Sequence, residues 1–141
     1  LVLIHWPGSK KERYLDTYRA LENICQSQKA KSIGLSNFEI NHLKDIFAHC
    51  SIAPVMNQIE RHPNLQRNEL IEFCKNHNII AEAWSPLARG KLLNDKIIID
   101  TAKKYNKTPA QIILRWNIEN NISVIPKSVN KSRIEENINI C

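Results

Sequence analysis

Nowhere in the 141 residues is there an apolar run approaching the roughly 18 residues that cross a bilayer, so no membrane-spanning helix is expected. The apolar opening Leu1-Val2-Leu3-Ile4 has no basic segment before it and no small-residue cleavage site behind it, which separates it from a secretory signal. Position 1 is not Met, and a chain that opens inside an apparent core strand is expected to have lost a preceding segment. Cysteine pairs at redox spacing are missing as well. Cys25, Cys50, Cys74 and Cys141 form no C-x-x-C, and the five histidines make no close His/Cys pair at zinc spacing. A metal centre therefore has no support. The first three cysteines fall at apolar positions of helical patterns and read as buried thiols of a reducing, cytoplasmic compartment. Ser/Gly-rich linkers and low-complexity tracts are absent too, which leaves one domain over 1–141.

What is present is ordinary for a globular chain: 43% hydrophobic and 24% charged residues. Basic residues outnumber acidic ones 20 to 14, giving a net charge of +6. The excess is spread thinly, nine against seven over residues 1–70 and eleven against seven over 71–141. Lys10-Lys11 and Lys103-Lys104 sit among acidic neighbours on apparent helices, the pattern of solvated outer faces rather than of a nucleic-acid surface. The charge suits a phosphate-bearing small molecule.

Short apolar runs alternate with longer amphipathic segments. Strands are expected at 2–5, 32–35, 55–59, 79–84 and 123–125, rich in Val and Ile as buried parallel strands are. Between them, residues 11–28 put Leu15, Tyr18, Leu21 and Cys25 on one helical face, and residues 39–49 do the same with Ile40, Leu43 and Phe47. Leu70, Ile71 and Cys74 mark a third helix, 97–105 and 109–119 two more, and Thr108-Pro109 supplies an N-cap followed by a first-turn proline. Such alternation implies parallel strands joined by right-handed crossovers, hence an α/β fold. Polar or aromatic groups follow every strand: His5-Trp6-Pro7, Ser36-Asn37, Asn57-Gln58, Trp84-Ser85-Pro86 and Pro126-Lys127-Ser128. In a (β/α)8 barrel, functional groups gather at these strand ends.

Read as L-I-H-W-P at 3–7, G-L-S-N-F at 34–38, N-Q-I-E at 57–60 with H-P at 62–63, A-W-S-P-L at 83–87, V-I-P-K-S at 124–128 and T-P-A-Q-I-I-L-R-W at 108–116, the chain resembles the C-terminal part of the aldo-keto reductases. The S-P-L-A-R-G-K-L-L stretch at 85–93 looks most like the microbial diketogluconate and glyoxal reductase branch. The resemblance implies a partial (β/α)8 TIM barrel, five of eight parallel strands with helices outside, whose N-terminal three βα units are not in the chain. It further implies reduction of a small aldehyde or ketone by NADPH, without metal, nucleic-acid or membrane partners. The absence of G-x-G-x-x-G agrees with a family that does not use that phosphate loop.

Carried over by motif, His5 is the histidine that orients and polarises the carbonyl, and Trp6 lines the substrate pocket. Ser36, Asn37 and Gln58 correspond to the residues that hold the nicotinamide carboxamide, and Trp84 to the aromatic that stacks on its ring. Ser85 and Leu87 correspond to the pyrophosphate contacts. Lys127, Ser128, Arg133, Glu136 and Asn137 correspond to the 2′-phosphate and adenine contacts, with Arg133 and Asn137 early in a helix starting near Ser132. Plainer roles stand beside these: a core histidine, a helix cap at Ser36-Asn37, a core aromatic at Trp84, a solvent-facing pair at Glu135-Glu136. Asn130 and Lys131 depart from the family's usual Thr and Pro. The family's Tyr acid, with its Lys and Asp, belongs to the first three strands, and Tyr14, Tyr18 and Tyr105 lie in helical patterns that cannot replace it. The expectation is a fragment inactive by itself and prone to association, from a monomeric parent. The alternative is a non-catalytic half-barrel with a weak nucleotide site or a chain-association role.

Overall fold

In a computed structural model, residues 1–140 are described, and the chain divides into two compact units. The first is Leu1–Ile59 with Arg67–Ala81; the second is Glu60–Gln66 with the chain from Glu82 onward. Elements alternate as expected: β1 (Val2–Ile4), α1 (Lys11–Gln26), β2 (Ile33–Ser36), α2 (Ile40–His49), β3 (Met56–Glu60), α3 (Asn68–Asn76), β4 (Ile80–Trp84), a 3-10 turn (Ala88–Gly90), α4 (Lys96–Tyr105), α5 (Pro109–Glu119), β5 (Ser123–Val124) and α6 (Lys131–Ile138). Hydrogen-bonded strand order follows chain order, β1-β2-β3-β4-β5. Among the described residues no helix is long and apolar enough to cross a membrane.

The first unit begins with β1 paired in parallel to β2, Val2 to Ile33, Leu3 to Gly34 and Ile4 to Leu35. Strand β2 continues to β3 through Leu35 to Asn57 and Ser36 to Gln58. Both faces of β2 are covered, and all four of its residues are buried. Helix α1 turns Tyr14, Leu15, Tyr18 and Leu21 inward at the 3.6-residue period. These meet Leu35, Phe38, Leu43, Ile46 and Ile59 in one apolar cluster. Each fully buried aliphatic or aromatic side chain of this kind contributes about 1.5–3 kcal/mol relative to exposure.

Two details of the expected core differ. Phe47 was expected on the buried face of α2, but it is 36% exposed and Ile46 takes the core position at 1%. The stripe on α2 is narrow, and the Phe47 ring finds cover at its border, against Phe73 and His77 with centroids at 6.5 and 4.9 Å. Of the described cysteines, Cys74 alone is buried, while Cys25 and Cys50 are half-buried. Cys25 lies in the last turn of α1 and Cys50 just past the end of α2, where the helices leave the core. Burial pushes the Cys74 thiol up to about 11, against a hydrogen bond with Asn57 that favours the thiolate. Cys141 lies outside the described residues.

The second unit pairs β4 with β5 in parallel, Glu82 to Ser123 and Ala83 to Val124. Ser123 Oγ donates to Glu82 Oε2 at 2.9 Å across that pair. Helix α4 starts where the Asp95 carboxylate accepts from the backbone of Ile97 and Ile98, and it stops at Asn106 in the left-handed region. Thr108 and Gln111 form the reciprocal capping box of α5, with Pro109 at its first position.

Gly34 is required by proximity. A Cβ there would stand 2.7 Å from Met56 O and 2.8 Å from Leu3 Cδ2, on the two strands flanking β2. Backbone cannot give way as a flexible side chain can, so Gly34→Ala is expected to destabilise the chain by about 1–3 kcal/mol, the usual cost of overpacking. A urea midpoint equal to wild type would contradict this packing.

Candidate functional site

The turn after β2 is built from buried polar groups. Ser36, 2% exposed, donates from Oγ to the Gln58 carbonyl at 2.9 Å. Its hydroxyl also accepts from Asn37 Nδ2 at 3.1 Å, and the same nitrogen donates to the His5 carbonyl at 2.9 Å. Asn37 has a φ of 62°, a left-handed position that asparagine tolerates better than most residues. Its backbone N–H donates to Gln58 O at 2.8 Å. Thus His5, Ser36, Asn37 and Gln58, from the ends of three successive strands, share one hydrogen-bonded cluster. His5 and Trp6 stand exposed beside it, Trp6 at 58%, with ring centroids 6.3 Å apart. Helix α2 is capped by Glu39, whose backbone N–H donates to His42 Nδ1 at 3.1 Å, so Ser36 and Asn37 are not its caps.

Asn57, the first residue of N-Q-I-E, fastens this turn. It is fully buried, donates from Nδ2 to Phe38 O at 2.9 Å, and accepts from Phe38 N at 3.4 Å. In a strand, Asn57 and Gln58 face opposite sides. That alternation sets the Asn57 amide, which fastens the turn, on the opposite side of the strand from the Gln58 side chain.

In the second unit, a cleft of about 440 Å³ gathers Ser85, Leu87, Lys127, Ser128, Arg133, Glu136 and Asn137, all of the residues expected at its phosphate and adenosine parts. It is also lined by Pro86, Arg89, Gly90, Ala110, Ile125 and Pro126. Arg89, a residue of S-P-L-A-R-G with no expected ligand role, adds a third cation to Lys127 and Arg133 against the single carboxylate of Glu136. Among the described residues none of these three cations is ion-paired. Trp84 ends β4 half-buried and is not part of the cleft lining.

Local sequence explains the walls. Ser85, Ala88, Arg89 and Gly90 have φ of 50°, 49°, 55° and 84°, so the chain after β4 coils tightly at a cost that only Gly90 avoids. Ala88 and Leu92, both buried, anchor this turn on Ile113 of α5. Opposite, Asn130 caps α6 by accepting from Ser132 N at 3.0 Å and Ser132 Oγ at 2.7 Å, so its departure from Thr preserves the cap. Arg133 and Asn137 then fall one turn apart on the cleft side. Glu136 lines the cleft and accepts from Thr108 Oγ1, whereas Glu135 is exposed near Lys131. The two glutamates are therefore not a matching solvent-facing pair.

The three tyrosines lie on helices α1 and α4. Burial pushes the phenols of Tyr14 and Tyr18 up; Tyr14 also donates to Asp45 at 2.5 Å and Tyr18 to Ile52 O at 3.0 Å. Tyr105 is 62% exposed on α4. Asp45, held by Lys11 and Tyr14, lies below the usual carboxylate range.

The chain thus has a parallel α/β architecture with polar groups at its strand ends and, in the second unit, a cleft lined by three cations, and comparison with known proteins makes the family specific. The chain matches the aldo/keto reductase family over residues 1–141 and belongs to it. It is 50% identical over 143 residues to 9,11-endoperoxide prostaglandin H2 reductase of Trypanosoma cruzi, covering 99% of this chain and 50% of that protein. It is 46% identical over 140 residues to glyoxal reductase of Bacillus subtilis, again covering 99% and 50%. An aldo/keto reductase structure from Brucella melitensis superposes with a TM-score of 0.94 at 46% identity, over 99% of this chain and 54% of that one. A mutant of Gox0644 solved in complex with NADPH gives 0.95 at 45%, over 99% and 52%. The chain thus spans about half the length of the curated relatives it matches.

Asn37→Ala would remove the side-chain hydrogen bonds to the His5 carbonyl and to Ser36 Oγ and leave an alanine at positive φ. The expected loss is about 1–3 kcal/mol, with Asn37→Gly losing less because glycine accepts that φ. Equal unfolding midpoints for the two variants would contradict the assigned strain.

Proposed function

We propose that these 141 residues supply the cofactor-binding half and the carbonyl-polarising histidine of an NADPH-dependent reductase of small aldehydes and ketones. The observation that carries the reading is the cleft of the second unit, where seven residues expected from motif alone line one cavity with a cationic excess. Three cations and the start of a capped helix suit a ligand with several phosphate charges. Arg133 and Lys127 are assigned the 2′-phosphate, Ser128 and Asn137 polar contacts beside it, and Glu136 the adenine edge. Ser85, Leu87 and Arg89 form the wall assigned to the pyrophosphate.

When bound, NADPH supplies the hydride. The chain's own work is to hold and orient: Ser36, Asn37 and Gln58 present donors and acceptors to the carboxamide, and Trp84 offers a face to the ring. Imidazole N–H of His5 stabilises the negative charge that grows on the carbonyl oxygen, and Trp6 borders the substrate beside it. The family's general-acid Tyr, with its Lys and Asp, belongs to strands outside these 141 residues, so proton delivery is assigned to them. A cytoplasmic setting and a monomeric parent accompany the reading. A second reading, association with another chain, is favoured by the terminal strand β1, where Leu1, Val2 and the following Trp6 are 57%, 39% and 58% exposed.

Joined to the N-terminal half of the Bacillus subtilis glyoxal reductase, the chain is expected to oxidise NADPH in the presence of methylglyoxal. His5→Ala in that protein should lower kcat by about 10²–10³, the scale of one lost oxyanion donor, while the Kd for NADPH changes little. A His5→Ala protein as fast as its parent would remove His5 from the chemistry, and a folded chimera that fails to bind NADPH would sink the cofactor assignment.

A further inference from the structure

Arg61 directly follows β3 and is 3% exposed, an unusual place for a guanidinium. Among the described residues it is paired with no carboxylate. Its charge is met otherwise: Nε donates to Gln66 O at 3.0 Å, Nη1 donates to Asn117 Oδ1 at 2.5 Å, and the guanidinium lies over the Trp116 ring at 4.1 Å. Burial pulls its pKa below the usual arginine range. Asn117 is fully buried and fixed on α5 by its own Nδ2, which donates to Ile113 O at 3.2 Å. The main chain completes the figure. Arg61 N donates to the carbonyl of Trp84 at 3.4 Å, and on the other side His62 and Leu65 close the tight loop by exchanging backbone hydrogen bonds.

Buried cations without counter-ions are costly, and an apolar side chain of similar volume would fill the space at lower cost. What arginine alone adds is a rigid fork that binds helix, loop and ring at once. Those three attachments fix the Arg61 backbone, and with it the N–H that holds the last carbonyl of β4. We propose that Arg61, braced by Asn117 and Trp116, is a positioning residue that sets Trp84 for ring stacking on the nicotinamide. This inference rests on the cofactor reading above and adds a determinant that the family motifs do not supply. Trp84 stands between a strand and a turn whose next residue is already at positive φ, so without the tether its ring has one fewer constraint on its direction.

The test uses the full chain labelled with 5-fluorotryptophan, its three 19F lines assigned by Trp6→Phe, Trp84→Phe and Trp116→Phe, and titrated with NADP+. In Arg61→Met the Trp84 line should move or broaden while the Trp6 line stays in place, and NADP+ affinity should fall about three- to tenfold, the size of one aromatic stacking contact. Asn117→Asp keeps an acceptor for the guanidinium and should hold affinity within about twofold of wild type, whereas Asn117→Ala should resemble Arg61→Met. A Trp84 line and affinity unchanged in Arg61→Met overturn the proposal. If Arg61→Met collapses all three lines by unfolding, Arg61→Lys, which keeps the charge but loses the fork, decides by the same criterion. Wild-type chain that fails to bind NADP+ while Arg61→Met still displaces the Trp84 line would overturn the cofactor reading and leave the tether standing.

Discussion

At the end of each parallel strand the backbone leaves the ladder, and its N–H and C=O groups need new partners because burial without them costs about 1–3 kcal/mol each. In this chain side chains take over that duty. Asn57 satisfies both backbone groups of Phe38, Ser36 reaches the Gln58 carbonyl, and Asn37 reaches that of His5. In the second unit a backbone group does so instead: Arg61 N donates to the Trp84 carbonyl, and the Arg61 side chain is in turn held by Asn117. Strand ends that would otherwise fray become fixed platforms.

Function follows from that constraint because the residues assigned to ligands are neighbours of the residues that tie the ends down. Ser36 and Asn37 belong to both groups, and a group already held by a hydrogen bond loses little further freedom on meeting a cofactor. The cleft of the second unit uses a different device. Its turn from Ser85 to Gly90 accepts unfavourable backbone conformations, offset by burial of Ala88 and Leu92 against Ile113. That exchange of local strain for packing brings Arg89 to the same cavity as Lys127 and Arg133.

Much of this was legible in the sequence. Strand and helix positions followed from the two periodicities to within a residue or two, as Ile33–Ser36 against an expected 32–35 illustrates. Motif likeness named the cleft residues because turn and cap chemistry are local: Asn130 caps α6 through Ser132, two positions on. What escaped is long-range. Arg61 meets Asn117 across 56 residues, and nothing in the spacing of either announces the other. Phe47 missed the core because periodicity gives a face, not its edges, and Arg89 was overlooked because its place depends on three successive positive φ values that no residue type requires.

The central claim is that the cleft lined by Lys127, Ser128 and Arg133 recognises the 2′-phosphoadenosine end of the cofactor. Isothermal titration of the chain with 2′,5′-ADP and, separately, with 5′-AMP tests it most directly, since neither substrate nor hydride transfer is involved. The account predicts that 2′,5′-ADP binds at least about tenfold more tightly, the worth of one charge-assisted hydrogen bond to the extra phosphate. Equal affinity for the two nucleotides, or heat from neither with the chain folded, would contradict it.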